Sequence, residues 1–321
     1  GQYSYITCNN PNAQVPMKIY LRESMKNYQY ANFDEIFDCV IEGIKFYEGL
    51  FKIKFPFSKY DQIFCPEYNM GAMENVGLIT FHEHYVYKLQ PTMTMILRRL
   101  ETVLHELSHM WFGDFVTMEW WDNLWLNESF AVFISNLALN QCEYFVNKYK
   151  TNINNIGWLS FNTRKNGVIS LDQQSTTHPV YTLVENTEVA ETNFDRITYG
   201  KGSSILKQIY YNIGHDNFFK GLNHYFEKYG WGNTVFADFV NEMKNVLGDG
   251  GESFVDFCNN WLKKSGISEM NTNIEVDSDE MIKKFEVVQK PQISGNYLNH
   301  YVDNEQKEIE FCKILKAFFI H

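Results

Sequence analysis

The chain has 321 residues, 45% hydrophobic and 17% aromatic, enough for one large or two ordinary domains with a substantial core, which excludes general disorder. Its net charge is −11 (28 Lys and Arg against 39 Asp and Glu) and it has no basic stripe, which argues against a nucleic-acid partner. No stretch approaches ~20 uninterrupted apolar residues, so no membrane span is expected.

The segment VPMKIYL alternates Val15, Met17, Ile19 and Leu21 on one face and predicts a strand. Residues 31–50 carry Ile36, Val40, Ile44 and Tyr47 at helical spacing. The run YDQIFCPEYNMGAMENVGLITFHEHYVY predicts strands around a bend at Gly71. Residues 93–112 form an amphipathic helix through Ile96, Leu100, Val103, Leu104, Leu107 and Trp111, stopped by Gly113. A second helix is expected from Asn123 to Asn140, with Asp122 as its N-cap. Residues 150–195 are Asn-rich and weakly patterned, and are expected to hide short helices. From Gly202 to Ser265 three or four helices follow, punctuated by Gly214, Gly230 and Gly248. NTNIEVDSDEMIKKFEVVQK then reads strand, turn, strand, and suggests a new domain near Asn271.

Cys8, Cys39, Cys65, Cys142, Cys258 and Cys312 form no CxxC pair and read as reduced, buried thiols. The chain starts at Gly1 with neither initiator Met nor signal peptide. The expectation is a fragment or processed piece in the cytoplasm, with an ectodomain or organellar origin as the alternative.

The chemistry concentrates in HELSHMWFGDFVTMEWWDNLWLNESFA, His105 to Ala131. Residues four apart share one helical face, so His105 and His109 can present imidazoles to a single ion. Two nitrogens, one carboxylate and an open position make the ligand set of catalytic zinc. Glu106, one residue on, is free to act as general base on a metal-activated water. Eighteen residues separate His109 from Glu128 on the next helix, the candidate third ligand. HExxH alone also fits a surface helix with two incidental histidines. The apolar flanks (Val103, Leu104, Leu107, Met110, Trp111, Phe112) argue against that, because buried ionisable groups are costly unless paired or metal-bound. Asn127 reads equally as a partner of the ligand set or as a helix-start residue.

HELSH with Glu128 in WLNESFA is similar to the M1 zinc aminopeptidases, an aminopeptidase N-like gluzincin group. GAMEN (Gly71 to Asn75) and ITYGKGSSIL (Ile197 to Leu206) resemble the family's other two hallmarks, in matching order. The resemblance runs over about residues 1–270. It implies an α+β fold: a thermolysin-like core with a mixed sheet whose edge strand carries GAMEN, and a mostly helical part over residues 91–268. It further implies that residues 1–24 are the remnant of an N-terminal β-domain, 25–268 the catalytic domain, and 271–321 the start of a small β-domain and tail.

By resemblance, one Zn2+ per chain is held by His105, His109 and Glu128, and Glu106 and Tyr199 are catalytic. Glu106 and the zinc activate water, and the Tyr199 hydroxyl stabilises the oxyanion. Glu74 binds the substrate's free α-ammonium, with help from Glu128. The Gly71, Ala72 and Met73 backbone pairs with the peptide like an added strand, and Met70 lines the first side-chain pocket, unless it is simply a core residue. The implied partners are peptides with a free N-terminus, together with other chains or further domains that complete the M1 architecture. The family draws a further amine-binding side chain and a substrate-orienting Arg from those domains, and neither is placed in this sequence. Two alternatives stay open: a non-catalytic subunit retaining the fold, and another gluzincin hydrolase. Other histidines offer less. His82 and His84 have no third ligand nearby, and His178 before Pro179 reads as a loop residue.

Overall fold

The computed structural model describes residues 2–149, 156–278 and 281–291. The chain is α+β, as expected. Strands β1 (Tyr3–Thr7), β2 (Lys18–Arg22), β3 (Asp61–Cys65), β4 (Ala72–Met73) and β5 (Leu78–His82) form one mixed sheet in the order β1-β2-β3-β5-β4. β1 and β4 run antiparallel to their neighbours, while β2–β3 and β3–β5 are parallel. Met17, Ile19 and Leu21 are buried, as their alternation requires. Ile19 stands beside Gln62, so one hydrogen-bonded sheet crosses the domain division expected after residue 24.

Helix α1 (Phe33–Phe51) supplies the parallel crossover from β2 to β3 and buries Ile36, Val40, Ile44 and Tyr47. It packs on α2 (Met93–His109), where Leu100, Val103, Leu104 and Leu107 are buried. Thr92 caps α2 by accepting from Met95 N at 3.3 Å. α2 ends at His109, three residues short of the expected end, and Met110 to Phe112 turn toward a short strand β6 (Val116–Met118).

Helix α3 (Leu124–Gln141) is buried on every side from Leu124 to Leu139. It has no polar face because other helices surround it. Asp122 does not cap it. Asn123 occupies that position, and Asp122 accepts from Val184 N in a distant loop. Packing thus took the carboxylate that local pattern assigned to the helix start.

Beyond α4 (Glu143–Lys148), the weakly patterned stretch holds a 17-residue helix, α5 (Ile156–Asp172), longer than expected, and the short α6 (Thr187–Thr192). A π-helical turn (Ile197–Lys201) leads into α7 (Gly202–Ile213). Then come α8 (His215–Tyr229), β7 (Gly232–Thr234), α9 (Phe236–Leu247) and α10 (Gly251–Leu262), with β7 parallel to β6. The hairpin β8 (Ser268–Val276) and β9 (Ile282–Pro291) closes the described chain, three residues before the expected domain start at Asn271. Cys312 and the expected tail lie outside the described residues.

Aromatic residues fill the helical core. Phe51 meets Trp111, Phe130, Phe219 and Phe226 with ring centroids 5.2–6.4 Å apart, and Phe112 stacks on Phe130 at 4.4 Å. Full burial of each such ring stabilises the fold by about 1.5–3 kcal/mol. This cluster seats the end of α2 against α3, the two helices that carry the site.

Candidate metal centre and active site

His105 and His109 lie on the last turns of α2, and Glu128 lies on the second turn of α3. The two Nε2 atoms are 3.1 Å apart. Glu128 Oε2 lies 3.3 Å from His105 Nε2 and 3.6 Å from His109 Nε2. Ligand atoms ~2.0–2.1 Å from one tetrahedral ion are about 3.3 Å from each other, so the triangle has the size zinc needs. The side chains are held nearly dry, with His109 1% exposed.

The ring tautomer supports the same conclusion. His109 Nδ1 faces two acceptors, Asn127 Oδ1 at 2.9 Å and Phe112 O at 3.2 Å. Nδ1 therefore carries the proton and Nε2 presents its lone pair to the triangle. In a second grouping, Glu74, Glu106 and His109, the candidate ligand atoms also lie within 4.8 Å of one another. It lacks the second imidazole, and the Nδ1 side of His109 that faces Glu74 is already a donor.

Glu106 is buried, and its Oε2 has no protein partner. A buried carboxyl oxygen without a donor is costly, and a water or substrate group in the cleft satisfies it. Burial raises the Glu106 pKa well above the ordinary carboxyl range against the pull of His109, and nearby Glu74 and Glu128 add to the rise. Burial also opposes the charge of Glu128, but His109 and His105 outweigh it and hold that carboxyl below its usual range. Two neighbouring acids are thus driven apart, a pattern that marks functional sites.

Glu74 projects into this region from just beyond β4. Its Oε1 lies 3.9 Å from His109 Nδ1 and accepts from Asn127 Nδ2 at 3.4 Å. Ala72 and Met73 pair with Phe81 and Thr80, and β4 is the edge of the sheet, leaving its other side unpaired within the sheet. Gly71 O accepts from His82 N at 2.9 Å, and Met70 is 41% exposed. The Tyr199 ring lies parallel to His105 with centroids 6.3 Å apart. Burial, then Glu128 and Glu106, raise its phenol pKa, so the hydroxyl keeps its proton.

The structure therefore brings Glu74, His105, Glu106, His109, Glu128 and Tyr199 together from four separate segments. It leaves Met70 at the rim. The His82 and His84 rings lie 4.4 Å apart, tilted by 46°, but among the described residues no third ligand joins them.

Known proteins resemble the chain that carries this cluster. A family model described as the Peptidase family M1 domain matches residues 35–261. The chain belongs to peptidase family M1. Aminopeptidase N of Streptomyces lividans is 38% identical over 277 residues, 86% of this chain and 31% of its own length. Leucyl aminopeptidase of Saccharolobus solfataricus is 32% identical over 299 residues, 87% of this chain and 36% of its own. Aminopeptidase 2 of Candida albicans is 33% identical over 270 residues, 83% of this chain and 27% of its own. The M1 chain thus spans about a third of the length of these relatives.

Some site residues escape the sequence patterns. Asp114 follows Gly113, whose φ of +137° and approach to Asn127 leave no room for a side chain: a Cβ there would meet Asn127 Oδ1 at 2.5 Å. Burial, then Glu74, push the Asp114 carboxyl up to about 7. Tyr68 is electrostatically close to Glu106 and Glu74. Ser129, beside Glu128, donates to Thr198 O at 2.5 Å. Adjacency to Glu128 was the signal available for Ser129, and a loop acid just after the motif was the signal for Asp114.

Proposed function

We propose that this M1 domain is the catalytic part of a zinc aminopeptidase that removes N-terminal residues from peptides. The observation that carries the reading is Glu74. It is a buried carboxylate beside the imidazole pair that is no part of the His105, His109 and Glu128 triangle. A free α-ammonium is the cation such a group recognises, since a charge-assisted hydrogen bond restores its lost solvation. An endopeptidase has no use for it.

Zinc bound by His105, His109 and Glu128 would supply Lewis acidity, acidifying water and polarising the scissile carbonyl. Glu106 takes the proton of the attacking water on its unpartnered Oε2 and passes it to the leaving amine. Tyr199 keeps its phenol proton and donates toward the developing oxyanion, a contribution of about 3 kcal/mol in comparable sites. The open edge of β4 lines up the peptide backbone as an added strand. Met70, unbranched and half-open, adapts to the first side chain. Cys8, Cys39, Cys65, Cys142 and Cys258 are free thiols, which supports a reducing compartment such as the cytoplasm. No helix among the described residues is long and apolar enough to cross a membrane.

Hydrolysis of an aminoacyl reporter, its loss when the substrate is N-acetylated, and one equivalent of zinc by elemental analysis test the reading together. Equal turnover of free and acetylated substrates would reject it.

A further inference from the structure

The turn that carries Tyr199 is held by one carboxylate. Asp195 Oδ1 accepts from Ile197 N at 2.9 Å and from Thr198 N at 3.1 Å, and Asp195 O accepts from Tyr199 N at 3.2 Å. The other carboxylate oxygen, Oδ2, accepts from His178 Nε2 at 3.1 Å, while His178 Nδ1 meets Pro179 O at 2.7 Å. Neither a carbonyl nor a carboxylate donates. Both ring nitrogens therefore carry protons, and His178 is an imidazolium.

The acids facing His178 are Asp195 and, from the end of α5, Asp172; Asp172 is itself paired with Lys201 Nζ at 2.7 Å and accepts from Thr177 at 2.7 Å. Burial opposes the His178 charge, but the hydrogen bonds to Asp195 and Pro179 and the nearby carboxylates outweigh it and raise its pKa. On the opposite side, Ser129 Oγ holds Thr198 O from the helix that carries Glu128. The turn is thus held from α3 and from the His178 loop at Ile197 and Thr198, the two residues just before Tyr199.

We propose that His178 and Asp195 are a positioning pair that sets the reach of the Tyr199 hydroxyl toward the reacting carbonyl, and that the pair loosens when His178 loses its proton. This rests on the reading of Tyr199 as oxyanion donor given above. Below the raised pKa of His178 both ring contacts are intact. As pH rises through it, one contact becomes acceptor against acceptor and the charge on Asp195 loses its partner. The contribution of Tyr199 arises only in the transition state, so loosening lowers kcat and leaves KM nearly unchanged.

The test uses the whole metal-loaded chain, labelled with 15N-histidine and 13Cζ-tyrosine, with His178→Gln and Tyr199→Phe assigning the signals. His178 is expected to titrate above the ordinary histidine value of about 6.5, and the Tyr199 signal to follow the same transition. His178→Gln and Asp195→Asn are expected to lower kcat roughly tenfold or more, with KM within about twofold, because small misplacements are costly. The alkaline fall in kcat that tracks His178 disappears in His178→Gln. A Tyr199 signal indifferent to the His178 titration overturns the proposal, as do variants with wild-type kcat. If Tyr199→Phe costs kcat while His178→Gln does not, the pair fails and the aminopeptidase reading stands. If the wild type turns over no reporter, that reading fails, and the two titration curves still decide whether His178 sets Tyr199.

Discussion

Asn127 Oδ1 accepts a hydrogen bond from His109 Nδ1 at 2.9 Å. The same amide donates from Nδ2 to Glu74 Oε1, so one side chain joins a ring of the proposed ligand set to the carboxylate proposed for the substrate amine. Asn127→Ala is expected to weaken zinc binding about 10–100-fold and to raise KM, as both partners lose their orientation. Asn127→Asp keeps the acceptor for His109 but sets a like charge against Glu74. Its zinc affinity is expected to stay close to wild type while KM rises. Competition with a chromophoric chelator measures the first effect, and steady-state kinetics the second.

Glu106→Gln removes the proton acceptor and nothing from the His105, His109 and Glu128 triangle. Turnover is expected to drop roughly 10²–10⁴-fold with zinc content unchanged. Parallel loss of metal in elemental analysis would place Glu106 among the ligands instead.

Glu74→Gln keeps the shape of the side chain and loses its charge. A charge-assisted hydrogen bond contributes about 1.5–3 kcal/mol, which corresponds to roughly 10–150-fold in KM. The variant is also expected to lose most of its preference for free over acetylated N-termini. A preference that survives intact would move amine recognition to another group.

Gly202 opens α7 directly against α3. A Cβ there would lie 2.0 Å from Ser129 Oγ. Gly202→Ala is expected to cost about 1–3 kcal/mol and to lower Tm by roughly 2–4 °C per kcal/mol. Adding Ser129→Gly removes the clash, so the double variant is expected to recover part of the loss in thermal melts. Simple additivity of the two losses would show that the contact is looser than described.

Arg99 is 1% exposed, and its NH2 pairs with Glu35 Oε2 at 2.6 Å, while Tyr149 donates to the other Glu35 oxygen at 2.9 Å. Glu35→Ala leaves the guanidinium buried without its carboxylate and is expected to cost about 3–5 kcal/mol in denaturant unfolding. The exposed pair Lys244–Glu252 is the control. Its disruption by Glu252→Ala is expected to cost less than about 1 kcal/mol.

Elements with a strong period were legible before any coordinates. α1, α2 and the four helices α7 to α10 follow apolar spacing and glycine punctuation, because both act within a few residues. The failures came where packing overrode local signals. Asp122 reads as a helix cap, yet Val184 takes its carboxylate. Residues 156–172 show no clear apolar stripe, because the face they bury includes Gly157 and Asp172 while Leu159 and Ile169 stay exposed. His178 carried no sequence signal, because its partner Asp195 is seventeen residues away across α6.

The sequence by itself determined the family, through three motifs in order, and the pairing of His105 with His109, since a four-residue step is a property of any helix. Only the tertiary structure decided that Glu128 comes within 3.6 Å of both imidazoles, that Glu74 reaches the same cleft from beyond the sheet edge, and that Ser129 and His178 both reach the turn that carries Tyr199. Those are contacts between segments distant along the chain. Their geometry is set by how aromatic helices pack around Phe51 and Phe112, and no local spacing encodes that packing.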